Sequence, residues 1–177
     1  MGERGWATLV FLSLSRLALG KVRVVCVGDS NTVGKRAVTG NDYPSVLGRL
    51  LGDGYEVYNM GLSGAAMGLS SDKPYVENDE YETAVELVGA ADGAAIVLSV
   101  FGTNDAKLKN WGDVASEFES NYRDFVATFE ALGATVAIGV MVPYLGDDGG
   151  YCDGEDDPKD HSYCEDQGSK RVRNSQL

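Results

Sequence analysis

Four short runs of aliphatic and β-branched residues, separated by stretches of helical periodicity, set the main constraint on how this chain can fold. Val22-Arg-Val-Val-Cys-Val27 is nearly continuous in apolar residues, the mark of a strand buried on both faces of a parallel sheet. Tyr55 to Asn59, Ala94 to Phe101 and Thr135 to Met141 read as three further strands. Between the first two, Tyr43, Val46, Leu47, Leu50 and Leu51 share one helical face, with Pro44 in the first turn and Gly52 as a stop. Glu80 to Val88 reads as a second helix. The strongest periodicity runs from about Val114 to Leu132, where Phe118, Tyr122, Phe125, Phe129 and Leu132 form one apolar stripe that predicts core packing. Gly133 caps that helix. Alternation of this kind implies a parallel sheet wrapped by helices through right-handed crossovers. In such sheets ligands bind beyond the carboxyl ends of the strands, which is where chemistry is to be sought.

The 177 residues fit one domain with a real core. A formal charge of −12 argues against a nucleic-acid partner, whose phosphates require clustered Lys and Arg. The charge is uneven: between Asp147 and Asp166 nine acidic side chains face the single Lys159. Residues 146–177 therefore read as an acidic, disordered tail, and 21–145 as the folded domain. At the other end, Arg4 precedes the apolar run Trp6 to Ser15, and Ala18-Leu19-Gly20 offers small residues at cleavage spacing. Residues 1–20 thus read as a secretory signal peptide, too short to span a bilayer, and no other segment predicts stable membrane insertion. Secretion or export follows from that reading; a cytoplasmic protein with a frayed first helix is the alternative. Cys26 lies in an apolar strand and reads as a small buried hydrophobe. Cys152 and Cys164 are able to pair as a disulfide in an exported protein. No CxxC occurs and His161 is the only histidine, so neither a metal nor a cofactor is expected. Oligomeric state leaves no mark in the sequence.

Three loops at successive strand ends carry polar residues framed by glycine: Gly28-Asp29-Ser30-Asn31, Asn59-Met60-Gly61-Leu62-Ser63-Gly64, and Gly102-Thr103-Asn104-Asp105. Any one of them alone is ordinary turn chemistry. Two rival motifs fail on spacing. A phosphate loop would need four residues between glycines and a Ser or Thr after the lysine, whereas Gly28 and Gly34 enclose five and Arg36 follows Lys35. Gly61-Leu62-Ser63-Gly64-Ala65 ends in alanine where an α/β-hydrolase elbow ends in glycine.

Taken together, the three loops resemble the blocks of the GDSL/SGNH hydrolases. Gly28-Asp29-Ser30 matches the nucleophile block, Gly64 the second and Gly102 to Asp105 the third. The likeness runs from about Val22 to Tyr144 and includes Tyr43-Pro44-Ser45, Leu50-Leu51-Gly52 and Asn110-Trp111, typical of sialate O-acetylesterase-like and carbohydrate-esterase members. It implies a three-layer, flavodoxin-like α/β fold with helices on both faces of a parallel sheet. It also implies hydrolysis of small-molecule or carbohydrate esters, often acetyl groups on sugars.

Elementary chemistry points the same way. A serine hydroxyl is a weak nucleophile that needs a neighbouring base, and the oxyanion formed on attack needs preorganised donors. Ser30 is the expected nucleophile; Gly64 offers an unobstructed backbone N–H, Asn104 a carboxamide, and Ser30 its own N–H as a third donor. In the alternative, these residues only cap helices and shape turns. Asp29 and Asp105 read as ordering their own turns rather than moving protons, Asn59 as satisfying backbone groups, and Asn31 and Thr32 as helix caps. Tyr75 and Tyr81 either line a sugar site or pack the loop that holds them. The resemblance breaks at the base. The family places it in a late Asp-x-x-His block, but Pro158 stands three residues before His161, with Asp157 four before and Asp160 adjacent. The expected fold is therefore C-terminally incomplete, without a fifth strand and last helix, and the expected activity weakened or lost. A non-catalytic binding module and a truncated gene product are the alternatives.

Overall fold

The computed structural model describes residues 20–139. Residues 1–19 of the expected signal peptide (1–20), the expected acidic tail (146–177) with His161, and the Cys152–Cys164 pairing lie outside the described residues. In chain order the elements are β1 (Val22–Gly28), α1 (Ser30–Val33), α2 (Tyr43–Leu51), β2 (Tyr55–Gly61), α3 (Asp79–Gly89), β3 (Ala95–Val100), α4 (Leu108–Val114), α5 (Phe118–Ala131) and β4 (Thr135–Ile138), with a 3₁₀ turn at Tyr75–Glu77. All pairings are parallel and the strand order is β2-β1-β3-β4. The chain steps from β1 to one side, then returns to the other side of β1, so the order reverses there. The crevice of a doubly wound sheet opens at that reversal, beyond the end of β1 between β2 and β3.

Alternation along the strands sorts the core into two layers. Val25, Val27, Ala95 and Val97 pack with Ala84 and Val88 of α3 and with Tyr122, Phe125 and Phe129 of α5. On the opposite face α2 lies over β2, with Gly48 above Val57 at a spacing where a β-carbon would make an ordinary 3.5 Å contact. Val24 through Gly28 are all buried, as the continuous apolar run predicts. Aromatic rings supply most of the filling. Phe125 sits among Tyr75, Tyr81, Phe101, Tyr122 and Phe129, with centroids 5.0 to 6.3 Å away.

The helix expected over 114–132 starts four residues later, as α5 at Phe118, and Val114 is instead the last residue of a separate preceding helix, α4. Val114 is fully buried against Gly68, where a β-carbon would strike its methyl groups. Holding that side chain inward ends α4. Glu117 then donates its N–H to the Val114 carbonyl at 3.0 Å and accepts the Ser70 N–H at 2.7 Å through its carboxylate, so α5 starts in a new direction. The stripe survives from Phe118 to Phe129, but Leu132 is past the helix and 43% exposed. Leu50, assigned to the inner face of α2 by periodicity, is 79% exposed in the last turn. Among the described residues no helix is long and apolar enough to cross a membrane.

Candidate active site

The three sheet loops start at one level because the strands end in register. Gly28 is paired with Gly61 on one side and with Val100 on the other. The chain after β1 must then turn sharply. A β-carbon at Gly28 would meet the Thr32 hydroxyl and the Val100 carbonyl, so only glycine fits the entry to this turn. Asp29 is the cap of α1: its Oδ1 accepts the Asn31 N–H at 2.8 Å and the Asn31 side-chain amide at 2.9 Å. That corrects the expectation that Asn31 and Thr32 cap the helix, although the expectation that Asp29 orders its own turn holds. Ser30 becomes the first residue of α1 and is half-buried. A first-turn N–H has no partner inside its helix, so the Ser30 amide is not consumed by α1.

After β2, the Leu62 N–H returns to the Gly28 carbonyl at 2.8 Å and brings the second loop alongside the first. Gly64 follows with φ +84, a left-handed conformation that directs its peptide where an L-residue would be strained. Asn104, from the loop after β3, is 4% exposed. Its amide donates to the Ala65 carbonyl at 2.8 Å and stands 3.5 Å from Asp29 Oδ2. One side-chain amide thus touches the residue before Ser30 and the residue after Gly64. A carboxamide has two N–H groups. The first is committed to Ala65 and the second has only the long approach to Asp29.

A second tier of polar residues ties the loops together. Asp105 Oδ1 accepts the backbone N–H groups of Met67 and Gly68, each at 2.8 Å. Asp105 was expected to order its own loop, and the Gly102 and Asp105 backbone N–H groups of that loop do favour its carboxylate; it also reaches into the neighbouring loop. Asn110, 2% exposed, donates to the Asn104 carbonyl at 2.9 Å and to Asp72 Oδ1 at 2.8 Å, and accepts the Asp72 N–H at 3.1 Å. Asn59 behaves as expected, donating to the Thr32 carbonyl at 2.9 Å and accepting the Gly61 N–H at 3.0 Å. Tyr75 does not line a sugar site. It is fully buried, with its hydroxyl on the Met60 carbonyl at 2.6 Å, and Tyr81 packs on its ring edge.

Burial governs the titration of the site. Desolvation raises the Asp29 carboxyl above its usual range, and the Asn31 donors and the Lys107 charge offset this only partly. For an acid raised in the fold, the native state holds its proton to higher pH than the unfolded chain does. Stability from this group is therefore present at low pH and lost as pH climbs through the raised value. Asp29→Asn keeps an acceptor oxygen for the cap and removes the titration. The melting temperature of Asp29→Asn relative to wild type is expected to rise between pH 4 and pH 7; a relative fall, measured by calorimetry, would show the charged form to be favoured in the fold. Cys26 is no competing nucleophile, since burial pushes its thiol up to about 11. Among the described residues no group of His, Cys, Asp and Glu is placed to hold a metal ion.

A parallel α/β sheet whose topological reversal carries a serine turn, a left-handed glycine and a buried asparagine has the layout of an SGNH-type hydrolase. Residues 26–164 match the GDSL-like lipase/acylhydrolase family, and the chain belongs to that family. An acetylxylan esterase from Xylanibacter ruminicola is 36% identical over 109 residues, which is 59% of this chain but 21% of that protein. Its full length is thus far beyond what this chain matches. Among solved structures, Est24, a carbohydrate acetylesterase from Sinorhizobium meliloti, superposes with a TM-score of 0.61 at 19% identity, over 89% of this chain and 76% of its own. The aryl esterase of M. smegmatis gives 0.59 at 20% identity, over 88% and 75%. Likeness at this identity concerns the fold: a parallel sheet layered by helices, as the sequence implies.

Proposed function

We propose that the chain is a serine ester hydrolase that removes acetyl groups from a carbohydrate. The observation that carries the reading is the Asn104 amide, which links the Ser30 turn to the Gly64 loop at the sheet reversal. Membership of the acylhydrolase family and the likeness to an acetylxylan esterase support it. In this mechanism Ser30 Oγ attacks the acyl carbon and the carbonyl π electrons move onto oxygen. The N–H groups of Ser30 and Gly64 receive that charge, joined by the Asn104 N–H that otherwise makes only the 3.5 Å approach to Asp29 Oδ2 and turns from it to the oxyanion. The Ser30 proton passes through solvent to the sugar oxygen, which leaves as a hydroxyl as the adduct collapses to acetylated Ser30; water then attacks the acyl carbon, releasing acetate and returning a proton to Ser30 Oγ.

Proton transfer is the weak point. The sequence contains one histidine, His161, without the aspartate three residues earlier that would orient it. Turnover is therefore proposed to be low, and His161→Ala is expected to change it by less than about threefold, since a histidine outside the Asp-x-x-His spacing is expected to contribute little of a general base's usual 10²–10⁴. A loss of about 10²-fold or more would establish His161 as the base. The reading itself is tested by incubating purified protein with acetylated xylan and measuring acetate. Release above the protein-free rate is the expected result. Binding of the acetylated polymer with no acetate released would favour a binding module built on the same crevice.

A further inference from the structure

We infer that Asp105 is a positioning residue that holds the Gly64 loop at a set distance from Asn104, an inference that rests on the esterase reading above. Asp105 is fully buried, and its Oδ1 holds two consecutive backbone N–H groups, those of Met67 and Gly68, at 2.8 Å each. Taking a carboxylate out of water is costly unless it is well partnered, and a charged acceptor for two N–H groups is the strong kind of hydrogen bond. The geometry shows what that arrangement fixes. Asn104 grips Ala65, and Asp105, the next residue, grips Met67 and Gly68. Two adjacent residues of the third loop thus hold the stretch that immediately follows Gly64. At its near end the same stretch is tied by the Ala65 N–H to the Leu62 carbonyl at 3.0 Å, across the left-handed glycine.

The consequence concerns the oxyanion. Gly64 and Asn104 come from different loops, so their two donors keep a constant separation only if the loops are fastened to each other. Donors for a developing charge act when they are aligned before reaction, and a misplacement of about 1 Å can cost about 10²-fold in rate. Asp105 does not face the ester itself. Its effect passes through the Gly64 N–H, which binds the transition state more than the ground state, so it falls on kcat rather than KM.

The test compares wild type, Asp105→Asn and Asp105→Ala in the full chain, by steady-state hydrolysis of p-nitrophenyl acetate. Asparagine keeps one acceptor oxygen but loses the charge, and places an amide where Oδ2 has no hydrogen-bond partner among the described residues. The expected order is wild type, then Asn with kcat down about tenfold, then Ala with kcat down about 10²-fold, KM staying within about twofold throughout. Should the alanine variant not fold, the asparagine variant decides alone. An Asn variant with the kcat of wild type, or a loss confined to KM, overturns the inference and leaves the esterase reading standing. A wild-type chain with no activity that depends on Ser30 removes the reading itself, and the inference with it.

Discussion

Ser30→Ala is expected to bring hydrolysis of p-nitrophenyl acetate down to the rate of free solution while leaving the fold as it is. The two halves of this expectation have separate grounds. Ser30 follows the helix cap; the cap is Asp29, whose carboxylate holds the Asn31 N–H. Removing the hydroxyl leaves α1 capped and half-buried packing intact, so the stability change should stay within about 0.5 kcal/mol. The chemistry, by contrast, finds no substitute in the two nearest nucleophilic groups of β1 and its turn: Cys26 is buried with its thiol raised, and the Thr32 hydroxyl faces the Tyr43 hydroxyl. The size of the loss also reports on the base. With a working histidine, loss of the serine costs on the order of 10⁶-fold. A loss nearer 10³-fold would mean that the oxyanion donors and binding supply most of what acceleration there is. Equal rates for the variant and the wild type would remove Ser30 as nucleophile.

Asn104→Ala is expected to have the second largest effect, and on two quantities at once. Loss of an oxyanion donor lowers kcat by about 10²- to 10³-fold. Loss of the same amide leaves the Ala65 carbonyl without its donor in a buried place, which costs about 1–3 kcal/mol and lowers the melting temperature by several degrees. Asn104→Asp separates the two. It keeps the size of the side chain but turns the donor into an acceptor and sets a second carboxylate against Asp29 Oδ2, 3.5 Å from the original amide. The aspartate variant should therefore lose as much rate as the alanine. A variant that melts lower but turns over normally per folded molecule would reduce Asn104 to a structural tie.

β1 was legible because it is buried almost throughout and shows as an unbroken apolar run, whereas β3 alternates between buried and half-buried positions and β2 and β4 are half-buried or exposed; α3 falls within a residue of the helix expected over Glu80 to Val88. Glycine-framed polar loops at the strand ends marked where Ser30, Gly64 and Asn104 would stand. What the sequence hid depends on contacts between residues far apart along the chain. The break before Phe118 is caused by Val114 packing on Gly68, and nothing local to 114–118 announces it. Periodicity assigns Leu50 and Leu132 to the core, but Leu50 stands in the last turn of α2 and Leu132 just past the end of α5, and both are exposed. Tyr75 looks like a loop aromatic until the fold closes over it. Asp105 meets Met67 and Gly68 across 38 and 37 residues, and Asn110 meets Asp72 across 38, so neither pair has a spacing that one sequence could reveal.

The wall of the crevice between Leu62 and Tyr75 is fastened at four points to the segment that follows β3: Ala65 to Asn104, Met67 and Gly68 to Asp105, Ser70 to Glu117, and Asp72 to Asn110. The span from Lys35 to Thr39, on the other side of Ser30, is exposed throughout. An engineer wishing to exchange substrate preference with a related enzyme would have to transplant 62–75 and 102–117 as one cassette, because either half alone would meet foreign anchors. Side-chain changes at 37–39 leave those anchors in place, whereas Lys35, whose N–H donates to the Ser30 carbonyl at 2.9 Å, has to keep its position.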